Sequence, residues 1–461
     1  MIPAWEEIAK AVDLEVQTGL EDLLAAIRIP SVVAWGGEHL RRSAGYLAQL
    51  LAQDGWSAET IRVGTNEAVF AEIGRRDAKS RVILYGHHDV QPPEPLEAWD
   101  NPPFDPVVRD GRIYGRGSGD DKGQFFAHIF AIRALRKLIG DIPARLQFFI
   151  DGEEEAGNPS LKETLEFLRS RIAGADFVYT VDGPEHPTGR PRLTFGFRGD
   201  LHLRLTLRSM KSSLHSGHWG NLAPDAAMLL CRALAACKGP DDRVLIPGFY
   251  DGIRPPDPVE RRAIEAIPFD PDTVAAQIGA TRLSGPDDVA PMERMMFQPT
   301  FTVTGLQSGY TGKNFQNAIP ATAIAHIDIR YVPDQDPDRL RRAVEAFVRH
   351  ILPEVSVESD RPMAPSRTPM DTRPARMVAR ALEQGFGVSP LLLPCSGGSA
   401  PDGLFTRDLG LPSLWAHVAN TDMRNHAPNE NICIDRIRAA ARASAALVLE
   451  LAQAPKEEEA S

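Results

Sequence analysis

The sequence predicts an α/β fold interrupted by an inserted α+β domain. Three observations lead there. Short apolar runs that read as buried strands alternate with stretches whose apolar residues recur at helical spacing. Three of those strands end in blocks of Gly, His, Asp and Glu, and open α/β sheets place their sites at the carboxyl ends of strands. From about residue 200 to 365 the pattern changes to strict alternation, as in Leu201-His202-Leu203-Arg204-Leu205, which suits a sheet with one solvated face.

In chain order, residues 5–28 and 39–54 carry helical periodicity, with Leu40, Tyr46, Leu47, Leu50 and Leu51 on one stripe. Arg81-Val82-Ile83-Leu84-Tyr85-Gly86 reads as a buried strand with His87 and Asp89 at its end. A helix follows over 122–139, directly after Asp120-Asp121. Arg145-Leu146-Gln147-Phe148-Phe149-Ile150 is a second strand, ending in an acidic cluster. Phe177-Val178-Tyr179-Thr180-Val181 is a third, capped by Asp182. The alternating strand at 200–207 is followed by a helix over 224–237, strands near 299–305 and 321–331, and a helix over 337–351. This β-α-β-β-α-β order resembles a ferredoxin-like unit. The stretch 239–298 is rich in Pro, Gly and Asp and reads in part as an irregular excursion. Leu411-Pro412-Ser413-Leu414-Trp415-Ala416 is a further strand leading toward His426. The expected division is therefore 1–199 and 366–461 in one domain, with 200–365 inserted.

The chain has 461 residues, enough for more than one domain, and its 43% hydrophobic and 25% charged residues are ordinary globular composition. A net charge of -11 argues against nucleic acid as a partner. No apolar run approaches the roughly 20 residues of a membrane span. Met1-Ile2-Pro3-Ala4-Trp5-Glu6-Glu7 has early acidic residues and no apolar segment of the secretory type. Cys231, Cys237, Cys395 and Cys433 show no metal-binding pair spacing, so a reduced, cytoplasmic setting is expected. Lys456-Glu457-Glu458-Glu459-Ala460-Ser461 reads as a frayed, solvated tail.

Five ligand-type residues carry the chemistry: His87, Asp120, Glu155, Asp182 and His426. Two imidazoles and three carboxylates are suitable donors for a pair of zinc or similar divalent ions. Asp89, two residues after His87, is placed to reach behind the imidazole and fix its tautomer. Asp120 and Asp121 lie in a Gly-rich turn, where the plain reading is an N-cap for the next helix. Glu153-Glu154-Glu155 abuts an apolar strand, and acids buried there need compensation that a metal centre supplies. Glu154, beside a ligand, is the candidate base. A strand-end Asp such as Asp182 is commonly a turn former, and its weight comes from completing the set. His215, Arg330 and the turn Gly397-Gly398-Ser399, a possible anion-binding run of N–H groups, are the substrate-side candidates.

These blocks resemble the di-zinc metallopeptidase family of carnosinase, bacterial glutamate carboxypeptidase, acetylornithine deacetylase and succinyl-diaminopimelate desuccinylase. Tyr85-Gly86-His87-His88-Asp89-Val90-Gln91-Pro92, Gly115-Arg116-Gly117-Ser118-Gly119-Asp120-Asp121-Lys122-Gly123 and Glu154-Glu155-Ala156-Gly157 carry the resemblance. Leu245-Ile246-Pro247-Gly248-Phe249-Tyr250-Asp251 is similar to a segment of the carnosinase-type dipeptidase branch. Pro394-Cys395-Ser396 departs from that branch, which has a charged pair before the Gly-Gly-Ser turn. The resemblance implies a zinc-exopeptidase-like mixed sheet flanked by helices, with a ferredoxin-like lid and dimerisation domain. It implies two divalent metal ions, zinc by default, with cobalt or manganese as alternatives. Asp120 then bridges, His87 and Asp182 complete one site, and Glu155 and His426 the other. It also implies a cis peptide between Asp120 and Asp121.

By the same resemblance, Glu154 is general base for a two-metal-activated water. His215 serves the partner's active site in a homodimer formed through residues 200–365. Asn317 touches substrate, and Arg330 with Gly397, Gly398 and Ser399 holds a substrate carboxylate. The activity implied is hydrolysis of dipeptides or similar small substrates with a free C-terminal carboxylate. The alternatives are an N-acyl amino acid amidohydrolase and, more remotely, a catalytically silent metal-binding protein. A phosphate-loop enzyme is excluded because no Gly-Lys-Ser/Thr follows the Gly-rich turn.

Overall fold

The computed structural model describes residues 3–453, and the tail expected at Lys456–Ser461 lies outside them. The chain forms two compact units. The first comprises the chain up to Phe195, Thr368–Leu393 and the part from Leu404 onward; the second comprises Gly196–Arg367 and Pro394–Gly403. Among the described residues no helix is long and apolar enough to cross a membrane.

The first unit is built on an eight-stranded mixed sheet. Its order is Ser57–Val63, Asn66–Ile73, Arg145–Asp151, Arg81–His87, Phe177–Val181, Ser413–His417, Arg192–Thr194 and Leu391–Leu393. The four strands from Arg145–Asp151 to Ser413–His417 run parallel. They are near-continuous apolar runs because they are covered on both faces; Phe177–Val181 is buried throughout. Helix Lys122–Ile139 packs on Arg81–His87 and Phe177–Val181, and against helices Trp5–Thr18 and Ile434–Gln453. Every residue from Lys122 to Ile132 is buried, as for a helix enclosed on all sides. His87 pairs with Asp151 across the parallel ladder, so neighbouring strands end level and release their loops at one edge.

The helix expected over 5–28 is two helices, Trp5–Thr18 and Leu20–Ile27, broken at Gly19. A Cβ at Gly19 would lie 2.8 Å from the Phe130 ring, so the chain turns where only glycine fits against the central helix.

The second unit is a four-stranded antiparallel sheet in the order Thr302–Ser308, Thr322–Tyr331, Gly199–Arg208, Ser356–Ser359. With helices Ala226–Ala236 and Pro337–Ile351 this is the ferredoxin-like β-α-β-β-α-β arrangement. Alternate residues Leu201, Leu203, Leu205 and Leu207 meet Ala323, Ala325, Ile327 and Ile329 and the helix residues Leu230, Leu340, Val344 and Val348 in one core. The 239–298 excursion is more ordered than its composition suggests. It holds three short helices, Pro258–Glu265, Pro271–Gln277 and Pro291–Phe297, each with proline in its first turn. Asp257 and Asp270 cap the first two, and Asp257 forms a capping box with Glu260. Some of the prolines and aspartates there are helix starts, while 239–257 and 278–290 are irregular as expected. Pro394–Gly403, expected with the first unit, groups with the second, where Ser396 N–H donates to the Gly196 carbonyl at 2.8 Å.

In the first unit, helices Arg373–Phe386 and Ile434–Gln453 meet at Gly385. A Cβ there would lie 2.5 Å from backbone atoms of Ala439 and Ala443. Gly385→Ala is therefore expected to lower the unfolding free energy by about 1–3 kcal/mol, despite alanine's better helix propensity. Urea denaturation checks this; an unchanged or raised midpoint would contradict the close approach.

Candidate metal centre

The ends of the parallel strands in the first unit gather the five ligand-type residues into two groups that share Asp120. His87, Asp120 and Asp182 form one, and Asp120, Glu155 and His426 the other; within each group the donor atoms all lie within 4.8 Å of one another. His87 Nε2 is 3.1 Å from Asp120 Oδ1 and 4.0 Å from Asp182 Oδ2. His426 Nε2 is 3.2 Å from Asp120 Oδ2 and 3.1 Å from Glu155 Oε2. The two oxygens of one carboxylate thus face two different imidazoles. The peptide between Asp120 and Asp121 is cis.

Each donor is oriented by neighbours. His87 Nδ1 lies 3.1 Å from the Asp89 backbone oxygen and 3.4 Å from Asp89 Oδ1, which leaves Nε2 free toward Asp120. The Asp89 carboxylate also accepts the backbone N–H groups of Glu154 and Glu155, at 3.1 and 2.9 Å. Gln91 Nε2 donates to Glu155 Oε2 at 3.0 Å. Asp121 Oδ2 accepts the His87 N–H at 3.2 Å.

The acidic run divides into three roles. The buried Glu153 accepts from Thr65 Oγ1 at 2.8 Å and from the Ser160 N–H, which anchors the turn. Glu155 joins the second donor group. The Glu154 carboxylate, half-buried, has no hydrogen-bond partner among the described residues.

Negative charge dominates. Burial, reinforced by Asp182, Glu155 and Asp89 and opposed by His87, pushes Glu154 well above the ordinary carboxylate range. Burial likewise raises Asp182, with Asp120 adding to it, and lifts Asp89 to about 6. The imidazoles respond in the opposite sense. Asp120 and Glu155 push His426 up to about 10, and Asp120 and Asp89 raise His87 against the burial that lowers it. Both shifts favour imidazolium beside the carboxylates, which offsets part of the cluster's charge. Divalent cations fit the same position and the same mixed imidazole and carboxylate donors, with Nε2 of both rings and both oxygens of Asp120 directed inward.

A residue that the sequence did not single out holds the centre together. Glu430 is fully buried; its Oε1 accepts the N–H groups of Gly117, Gly119 and Asp120 at 3.0, 2.8 and 3.0 Å. Its Oε2 accepts from Arg116 Nη1 at 2.6 Å. Four residues earlier, His426 sits in the left-handed region at φ 58°.

The substrate-side candidates all lie in the second unit, in two places. His215 pairs with Ala318, the residue after Asn317, across a short antiparallel pairing, and Ser216 N–H donates to the Asn317 carbonyl at 3.0 Å. His215 is exposed, its Nδ1 accepts the Gly217 N–H at 3.1 Å, and its ring centroid is 4.6 Å from that of His218. Arg330 Nη1 donates to Ser399 Oγ at 2.7 Å and lies 3.2 Å from Asp200 Oδ2; Nε and Nη2 reach Asp328 at 3.1 Å. Gly397 accepts from Arg198 at 2.9 Å, and the Gly398 N–H donates to Ser396 Oγ at 3.1 Å. Asp200, His202 and Asp328 form a third compact donor group, and both of its carboxylates meet the Arg330 guanidinium.

Removing Glu430 would strand the buried Arg116 and three loop N–H groups. Glu430→Ala is expected to cost about 3–5 kcal/mol of stability, and adding Arg116→Met should recover part of it. Denaturant unfolding of the two variants decides; a single variant as stable as the parent would contradict the anchoring role.

The model of peptidase family M20/M25/M40 matches residues 83–450. The Cys-Gly metallodipeptidase dug1 of Schizosaccharomyces pombe is 27% identical over 378 residues, covering 80% of this chain and 79% of that protein. The human Beta-Ala-His dipeptidase is 25% identical over 393 residues, covering 84% of this chain and 77% of its own. Among solved structures, an M20 family metallo-carboxypeptidase from Sulfolobus solfataricus superposes with a TM-score of 0.85 at 29% identity, over 94% of this chain and 99% of that one. Human carnosine dipeptidase 1 has the same fold, with a TM-score of 0.82 at 24% identity, over 98% of this chain and 100% of that one. The family match spans the strand-end blocks that build the centre as well as the inserted unit, and the chain belongs to the metal-dependent peptidase family M20/M25/M40.

Proposed function

We propose that this enzyme hydrolyses the amide bond of dipeptides, or of similar small substrates with a free C-terminal carboxylate. The observation that carries the reading is Asp120, whose two oxygens face His87 and His426 separately, as a ligand shared by two cations would. His87, Asp120 and Asp182 would hold one divalent cation, and Asp120, Glu155 and His426 the other, with zinc the first choice for these donors. When bound, such a pair polarises the scissile carbonyl and lowers the pKa of water.

The chain's own groups do the rest. Glu154 has a carboxylate with no hydrogen-bond partner among the described residues, beside the ligand Glu155, and it would take a proton from the attacking water and return it to the leaving amine. Arg330 and Ser399 hold the substrate carboxylate, with Asn317 as a further contact, and His215 of a second copy stabilises the oxyanion. The second unit would act as lid and dimer interface. Trp219, Leu222, Met228 and Phe315 are exposed there, and Thr302–Ser308 is an edge strand with Val303 and Leu306 outward, features suited to self-association. The names of the relatives, a Cys-Gly metallodipeptidase and a Beta-Ala-His dipeptidase, support a dipeptide substrate.

The test is hydrolysis of a panel of dipeptides and of acetyl- and succinyl-amino acids by metal-reconstituted enzyme, with a chelated control. Chelator-sensitive cleavage of dipeptides is the expected result; cleavage of acyl amino acids alone would move the assignment to an amidohydrolase. Glu154→Gln should keep its metal by elemental analysis while kcat falls about 10²–10⁴-fold. Undiminished turnover with metal present would remove Glu154 from the base role.

A further inference from the structure

One cavity in the second unit plays no part in the chemistry above. It has a volume of ≈ 420 Å³ and opens among residues of the 239–298 excursion and the segment that follows. That size falls in the range of small-molecule sites. Its walls are mainly apolar: Tyr250, Val274, Leu283, Met292, Met295 and Phe301.

Three contacts join this cavity to Arg330 and the Gly397-Gly398-Ser399 turn. Met295 closes onto Gly397, where a Cβ would fall 2.9 Å from Met295 Cγ, so glycine is what lets the cavity wall touch the turn. Arg198 lines the cavity and is buried; its Nε donates to the Gly397 carbonyl at 2.9 Å and its Nη1 to the Gln298 carbonyl at 3.2 Å. Among the described residues its hydrogen bonds go to these backbone carbonyls, and Asp328 acts on its charge from farther away. Thr300, on the same wall, accepts the Arg330 N–H on Oγ1 at 3.1 Å and donates its own N–H to the Arg330 carbonyl at 2.8 Å.

We propose that this cavity is the specificity pocket for the side chain of the substrate's C-terminal residue, and that it selects apolar side chains long enough to reach Met292 and Met295. A residue whose carboxylate is held at Arg330 and Ser399 has its side chain one bond from that anchor, and the contacts of Met295, Arg198 and Thr300 put the cavity wall against Gly397 and Arg330. The lining offers apolar area and two flexible thioethers, which suit Leu, Met or Phe and give nothing to Gly. The inference rests on the peptidase reading above and adds the residues that decide among peptides.

The experiment measures kcat and KM for Ala-Gly, Ala-Leu and Ala-Phe with metal-reconstituted parent, Met295→Trp and Val274→Trp. Met295 is 39% exposed and Val274 lies on a different short helix, so both variants are expected to fold, which unfolding curves check. The parent should favour Ala-Leu and Ala-Phe over Ala-Gly about tenfold or more in kcat/KM. Each variant should lower the Phe-to-Gly selectivity ratio about tenfold, through KM more than kcat. An unchanged ratio in both folded variants overturns the pocket and leaves the peptidase reading standing. A parent that cleaves none of the three dipeptides overturns the peptidase reading and this inference with it.

Discussion

Crowded negative charge at the ends of buried strands is the constraint on which the rest of the first unit depends. Asp89, Asp120, Asp121, Glu154, Glu155 and Asp182 converge where Arg81–His87, Arg145–Asp151 and Phe177–Val181 release their loops. Each carboxylate taken from water costs several kcal/mol unless it is compensated. Two histidines supply some of that compensation, and both are driven toward the protonated form. On the proposed function, cations take the place of those protons, and the same excess of acid that destabilises the bare site gives it affinity.

Geometry of this kind needs support behind the donors. The level ends of the parallel strands place His87 beside Asp151, and Asp151 accepts from Asn66 Nδ2 at 2.8 Å and Tyr85 Oη at 3.1 Å. Asp89 ties the loop of one strand to the turn after the next through the Glu154 and Glu155 N–H groups. Glu430 does the same for the Gly-rich turn, so one buried carboxylate fixes both Asp120 and the segment that carries His426. The donors to Asp89 and to Glu430 Oε1 are backbone N–H groups, so the path of the chain fixes where they point.

The strand-end blocks were legible because their residue types make sense only together. Gly-His-x-Asp and Glu-Glu-Ala-Gly follow apolar runs, Gly-Asp-Asp closes a Gly-rich turn, and the structure brings His87, Asp120, Glu155, Asp182 and His426 into two groups. The ferredoxin-like order was legible from alternation along Gly199–Arg208. Glu430 left no signal, since its three N–H donors lie 313, 311 and 310 positions away and any residue type can donate from its backbone. The excursion is irregular in part, as its composition implies, but its three short helices left no local signal, because proline and aspartate mark both loops and helix starts and only the hydrogen bonds of Asp257 and Asp270 separate the two. The break at Gly19 depends on Phe130, and the grouping of Pro394–Gly403 depends on Gly196; both partners are distant in sequence, where local pattern cannot reach.

The most direct test of the central claim is metal stoichiometry. Purified enzyme is equilibrated with zinc, freed of excess and measured by elemental mass spectrometry, alongside Asp120→Asn and Glu154→Gln. A centre in which Asp120 is shared predicts two equivalents per chain in the parent and in Glu154→Gln, and less than one in Asp120→Asn. A parent that holds one equivalent or none, or an Asp120→Asn protein that retains two, would contradict it.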